Sequence, residues 1–280
     1  MGASTQIRPG FVETSHGFLE CLEAGTGEPL ILLPANPRSC RAFSRALPIV
    51  AAHDIRAIAL SLPGYGDSYA PNESYTELRQ FAQAIVWAMD GLGISRASIF
   101  GTHTGSQVAL ATAAEFPERV DKLILEEVFN WNTPARQAAH DRETRPDGSN
   151  FMRAWQALPV AESLASNTDT DLQFARDAFL DMLKKSTYGP GSATWAMGRY
   201  DSWEAAGKVR APTLVIHGSE SEMGRAHPKF LASIPRSTGL RPPTKAAADG
   251  SGGHSSWAQT SPEGFAKVIA GFLGKVSEVA

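Results

Sequence analysis

The chain has 280 residues, of which 42% are hydrophobic and 20% charged, with a formal net charge of -3. That is ordinary for a globular protein with one large core, and it excludes the strongly basic surface that nucleic acid or an anionic membrane would need, so the partner to expect is a small molecule. Two cysteines, Cys21 and Cys40, are too few for a disulfide framework, the opening MGASTQIRPGF has no apolar run of a secretory signal, and no stretch reaches membrane-spanning length; a cytoplasmic protein is expected.

In chain order, Phe11–Gly17 and Phe18–Gly25 read as an antiparallel hairpin at a sheet edge. Short apolar runs then follow at Pro29–Pro34, Ile55–Ser61, Arg96–Gly101, Asp121–Val128 and Pro212–Gly218. They alternate with longer amphipathic stretches, the pattern of a mostly parallel sheet covered by helices. Ser74 to Leu92 predicts a helix with a Ser74/Glu77 capping box and with Leu78, Phe81, Ala82, Ile85, Val86 and Met89 on one face. A last helix is expected from the cap Ser261 and the first-turn Pro262, burying Phe265, Val268, Ile269, Phe272 and Leu273.

Residues 130–207 differ. They carry helical periodicity without strand runs, turn breaks such as RPDGSN and YGPGS, and four of the six tryptophans: Trp131, Trp155, Trp195 and Trp203. The expectation is an all-helical insertion, residues 130–207, between core segments 1–129 and 208–280. Its aromatics either pack the insertion onto the core or line an apolar pocket beneath it.

The stretch RASIFGTHTGSQVAL, Arg96 to Leu110, has the outline of a strand, a sharp turn and a helix. Gly101 and Gly105 flank His103 two positions either side, the spacing of a nucleophile elbow, in which small residues let the turn close while the central side chain is thrust above the sheet.

With its flanking strand and helix, this stretch resembles the α/β-hydrolase superfamily, and the resemblance runs over nearly the whole chain. LILLPANPRSCRAF is similar to the family's oxyanion loop, LPGYGDS to its glycine-rich turn, PTLVIHGSES to the strand that commonly precedes the acid, and GGHSSWAQTSPEGFAKVIAGFL to the histidine loop and last helix. The insertion stands where the family places its cap, and ANPRSCRAF is most similar to the capped branch of haloalkane dehalogenases and epoxide hydrolases. The resemblance implies an α/β-hydrolase fold with His254 as the catalytic base, and no cofactor is expected. The usual acid position falls on Ser221, which cannot hold an imidazolium; its neighbours Glu220 and Glu222 read as loop charges. The family's other acid position falls on Glu127, and a carboxylate ending an apolar strand is costly to bury without a partner, so Glu127 is expected to orient His254 while Glu126 faces the opposite way. Oxyanion donors are expected in the backbone N–H of Thr104 and of Ala35 or Asn36, and Asn36 aligns with a substrate-contacting asparagine of the dehalogenase branch.

A histidine at the elbow has no hydroxyl to be deprotonated and is not the aspartate that attacks haloalkanes or epoxides. Seated at a helix N-terminus, its ring is expected to be neutral, either attacking a carbonyl directly, holding an oxygen while His254 and Glu127 act as general base, or joining a metal site that nothing in the spacing demands. The reading preferred on these grounds is a cofactor-independent hydrolase of an ester, lactone or activated C–C bond in a small apolar molecule. The alternatives are a lyase or isomerase in which the two histidines shuttle a proton, and a binding protein that has lost catalysis. Nothing in the sequence bears on oligomeric state.

Overall fold

A computed structural model describes residues 5–133, 169–185, 191–217, 222–242 and 257–275. Its centre is an eight-stranded sheet. In chain order the strands are β1 (Arg8–Thr14), β2 (Gly17–Ala24), β3 (Glu28–Leu33), β4 (Ile55–Leu60), β5 (Ala97–Thr102), β6 (Val120–Glu126), β7 (Thr213–Ile216) and β8 (Ser237–Leu240). Their spatial order is β1-β2-β4-β3-β5-β6-β7-β8. The β1–β2 hairpin joins antiparallel, and the strands from β4 across to β8 pair parallel. This is the α/β-hydrolase fold that the sequence predicts. The one strand the pattern did not predict is β8: its four residues, STGL, hold one large apolar side chain, too little to register as a period-2 signal.

Alternation along the central strands sends successive side chains into two separate layers. Ile99 of β5 and Leu123 and Leu125 of β6 pack with the helices α2 (Leu78–Gly91) and α3 (Thr104–Glu115). Phe100 and Ile124 pack the other way, with α1 (Leu47–Ala51) and the last helix, Pro262–Leu273. There Phe100 meets Phe265 edge-on, with ring centroids 4.9 Å apart, a favoured aromatic geometry.

The predicted buried face of α2 is buried throughout. Its start is one turn later than predicted, because the capping box is Glu77 with Gln80 rather than Ser74 with Glu77. The Gln80 amide oxygen accepts the backbone N–H of both Thr76 and Glu77, and a single acceptor serving two donors fixes the entry to the helix. In the last helix Phe265, Ile269 and Leu273 are buried, while Val268 and Phe272 pack only partly.

Between β6 and β7 the described residues form three helices: α4 (Asp169–Lys184), α5 (Ala193–Met197) and α6 (Ser202–Lys208). They are followed by α7 (Glu222–Ser233), α8 (Trp257–Thr260) and α9 (Pro262–Leu273). Among the described residues no helix is long and apolar enough to cross a membrane. Both cysteines are buried free thiols; burial and nearby carboxylates push the Cys21 thiol up to about 11, and burial pushes Cys40 up as well.

Candidate active site

β5 ends at Thr102 and α3 begins at Thr104, leaving His103 alone to turn the chain with φ 51° and ψ -113°. Non-glycine residues rarely hold a positive φ, and do so when their surroundings over-determine it. Here the His103 N–H donates to the Glu126 carbonyl at 3.0 Å, and the His103 carbonyl accepts from the Ser106 N–H at 3.0 Å and the Ser106 hydroxyl at 2.6 Å. The flanking glycines let the turn close. A Cβ on Gly101 would strike the Gly105 carbonyl, and one on Gly105 would strike the carbonyls of Leu33 and Pro34. The second of these approaches seats the first turn of α3 directly against the loop that carries Ala35 and Asn36.

The His103 side chain is 8% exposed. Its ring lies 4.8 Å from the Phe129 ring and 6.3 Å, edge-on, from the Trp131 ring, and Nδ1 stands 3.4 Å from the Thr104 hydroxyl. The turn therefore presents an imidazole against an aromatic wall at a helix N-terminus. The Thr104 N–H heads that helix, one of the donors that have no acceptor within it. Ala35 is buried in the facing loop. Asn36 Nδ2 donates to the Thr194 hydroxyl of α5, while its Oδ1 is buried and has no hydrogen-bond partner among the described residues.

The end of β6 carries two carboxylates that go different ways. Glu126 pairs with Thr102 across the sheet, is 3% exposed, and accepts the Trp257 N–H on Oε1 at 2.7 Å. Burial, reinforced by the neighbouring Glu127 charge, raises its pKa to about 7, against the pull of the Trp257 amide and the Thr102 hydroxyl. Glu127 lies one residue beyond that pair, as His103 lies one beyond Thr102. Its φ is also positive, 52°, and its N–H donates to the Ile216 carbonyl at 2.9 Å.

Glu127 Oε2 stands 3.4 Å from Nδ1 of His217, whose side chain is fully buried. The His217 ring in turn lies 4.6 Å from that of His227, and burial, with His217 beside it, lowers the His227 pKa. Among the described residues no cluster of histidine, cysteine and carboxylate could hold a metal ion.

Of the residues singled out from the sequence, the structure brings His103, Thr104, Trp131 and the Ala35–Asn36 loop into one neighbourhood, with Glu127 just past the end of the adjoining strand. Trp195 is partly buried on α5, with the Arg199 guanidinium 3.5 Å above its ring. His254, Trp155, Glu220 and Ser221 lie outside the described residues, and of Glu222 only its backbone position in α7 is described. Sequence reasoning missed His217, His227 and the buried anchoring role of Glu126. His217 had a usable signal, a polar residue closing the apolar strand PTLVIHG; His227 sits in a helix whose pairing with that strand no local pattern reveals.

A family model described as the alpha/beta hydrolase fold matches residues 28–243. The chain is similar to a zearalenone hydrolase from Cladophialophora bantiana, 32% identical over 143 residues, which cover 50% of this chain and 54% of that protein. Against these first relatives the chain thus spans about half of their length. It is also similar to a haloalkane dehalogenase from Mycobacterium marinum, 25% identical over 249 residues and covering 81% of each chain. Among solved structures, the enol-lactonase from Burkholderia xenovorans LB400 superposes with a TM-score of 0.73 at 18% identity, over 95% of this chain and 100% of that one.

Proposed function

We propose that this chain, which belongs to the α/β hydrolase family, is a hydrolase that adds water to an activated ester, lactone or C–C bond of a small apolar molecule, without a covalent serine intermediate. His254 is the general base, Glu127 orients it, and His103 holds the attacking water or the substrate oxygen. In an ester the base takes a proton from water as the new C–O bond forms, the tetrahedral intermediate expels the alcohol oxygen, and that oxygen takes the proton back. The N–H groups of Thr104 and of Ala35 or Asn36 hold the transient oxyanion. Residues 130–207 form a helical cap over a core of residues 1–129 and 208–280, and Trp131, Trp155 and Trp195 contribute apolar surface to the pocket, with Asn36 at its rim.

The observation that carries this reading is the His103 turn: an imidazole held at positive φ, almost wholly buried, against Phe129 and Trp131 and beside a helix N-terminus. The presence of an enol-lactonase and a zearalenone hydrolase among the similar proteins agrees with it. The His217–Glu127 contact supports the role of Glu127, since a carboxylate steadied on one oxygen can present the other to a second imidazole. Displacement of halide by an elbow carboxylate is not proposed, because residue 103 is not an acid.

The test is turnover of a panel of aryl esters and lactones, zearalenone among them, in heavy-oxygen water. Hydrolysis places solvent oxygen in the acid product and disappears in His254→Ala by about 10²–10⁴-fold, the range of a lost general base. Full activity of that variant, or product free of solvent oxygen, discards the reading.

A further inference from the structure

The loop after β3 is fastened to the helices between β6 and β7 at three of four successive residues. Asn36 Nδ2 donates to the Thr194 hydroxyl on α5. Arg38 Nε donates to Asp181 Oδ2 on α4 at 3.3 Å, and the Ser39 N–H donates to the same oxygen at 2.9 Å. Asp181 is fully buried and the Arg38 side chain 9% exposed.

Around this pair the charges continue outward. Arg41 reaches Asp181 Oδ1 at 3.8 Å, Glu20 at 2.5 Å and Asp67 at 3.0 Å, and Lys184, one turn along α4 from Asp181, holds Asp67 at 2.7 Å. A buried ion pair adds little net stability over an apolar pair of the same shape, but breaking it by removing one partner is severe because a charge is left uncompensated. Its use is therefore to fix geometry, and the geometry it fixes is that of the loop carrying Ala35 and Asn36.

From this we infer that Asp181 is a positioning residue for the loop that holds the oxyanion, so that α4 sets the reaction's geometry as well as covering the core. The functional half of the inference rests on the hydrolase reading above; the structural half does not. Asp181 holds the Ser39 amide and the Arg38 side chain, the Arg38 N–H donates to the Ala35 carbonyl at 2.8 Å, and fixing that carbonyl fixes the plane of the Ala35–Asn36 peptide, so the Asn36 N–H is thereby aimed. An oxyanion donor acts on the transition state and not on the bound substrate. Loosening it therefore lowers kcat and leaves KM alone.

The experiment compares Asp181→Ala and Asp181→Asn with the native chain by residue-resolved amide exchange and by kinetics on an aryl ester. In Asp181→Ala the Ser39 amide exchanges at least tenfold faster and kcat falls at least tenfold with KM within threefold. Asp181→Asn, which still accepts the Ser39 N–H, keeps that amide protected and recovers part of kcat. Unchanged Ser39 exchange in Asp181→Ala overturns the clamp, and faster exchange with native kcat overturns the positioning role. If the native chain turns over neither aryl ester nor lactone, the hydrolase reading fails while Ser39 exchange still decides the clamp. Should Asp181→Ala not fold, Arg38→Met removes the guanidinium and leaves the Ser39 bond; a lower kcat at native KM supports the inference and an unchanged kcat overturns it.

Discussion

His103 is where one side chain decides a whole class of chemistry. The turn that holds it is built as if for a hydroxyl nucleophile, with φ 51° and two glycines closing it, yet the imidazole has no oxygen on which fluorophosphonate probes could leave the stable phosphonate ester that marks serine hydrolases. The native chain is expected to stay unlabelled, and His103→Ser, which supplies the missing hydroxyl at the elbow, to become labelled, as read by mass of the intact protein. Labelling of the native chain at residue 103 would contradict the assignment. Glu126 supports a second prediction at this scale. Its pKa rises from 4.5 to about 7 on folding, so between those values the folded chain holds a proton that the unfolded chain has released. Stability therefore falls as pH rises from about 4.5 to about 7 and loses nothing more from this group above that. Glu126→Gln keeps an acceptor for the Trp257 N–H and carries no charge, so a plot of its melting temperature against pH should lack that decline.

At the level of strands and helices, sequence period carried most of the fold. The strands β3 to β7 and the buried face of α2 are visible because apolar residues recur at the spacing each element needs. What was hidden is instructive in its cause. β8 is too short to show a period, and the start of α2 moved a turn because two competing caps, Ser74 and Glu77, share one stretch and only the Gln80 side chain decides between them. The turn at 101–105 was legible as a motif, while the contacts Asp181 makes with Arg38 and Ser39 span more than 140 positions and leave no local trace. The elbow glycines also make the sharpest element-level prediction. In Gly105→Ala the new methyl meets the carbonyls of Leu33 and Pro34, backbone that cannot yield without parting α3 from β3. Thermal unfolding should show a loss at the upper end for single substitutions, about 4 kcal/mol or more, and a variant with native melting temperature would refute the packing described.

Taken as a whole, the molecule is two hydrophobic layers divided by one sheet. Phe265 sits at the centre of the layer away from α2 and α3, touching Phe100 and Trp257 by ring edges. Phe265→Ala is expected to cost about 3–5 kcal/mol, measured by denaturant unfolding. Because the damage lies on the far side of the sheet from α3, activity per folded molecule should change little.

The same division gives the paired acids at the end of β6 a consequence of their own. Adjacent in the chain, they are sent to different surroundings by the alternation of the strand and by the positive φ at Glu127 just past its end. One residue inserted within β6 would move Glu126 into the part-buried place beside His217, and one residue deleted would carry Glu127 into the buried place beneath Trp257. No composition scan would notice, since every amino acid would still be present. This short run is thus a counting device, and drift in its length should be far less tolerable to the protein than drift in its letters.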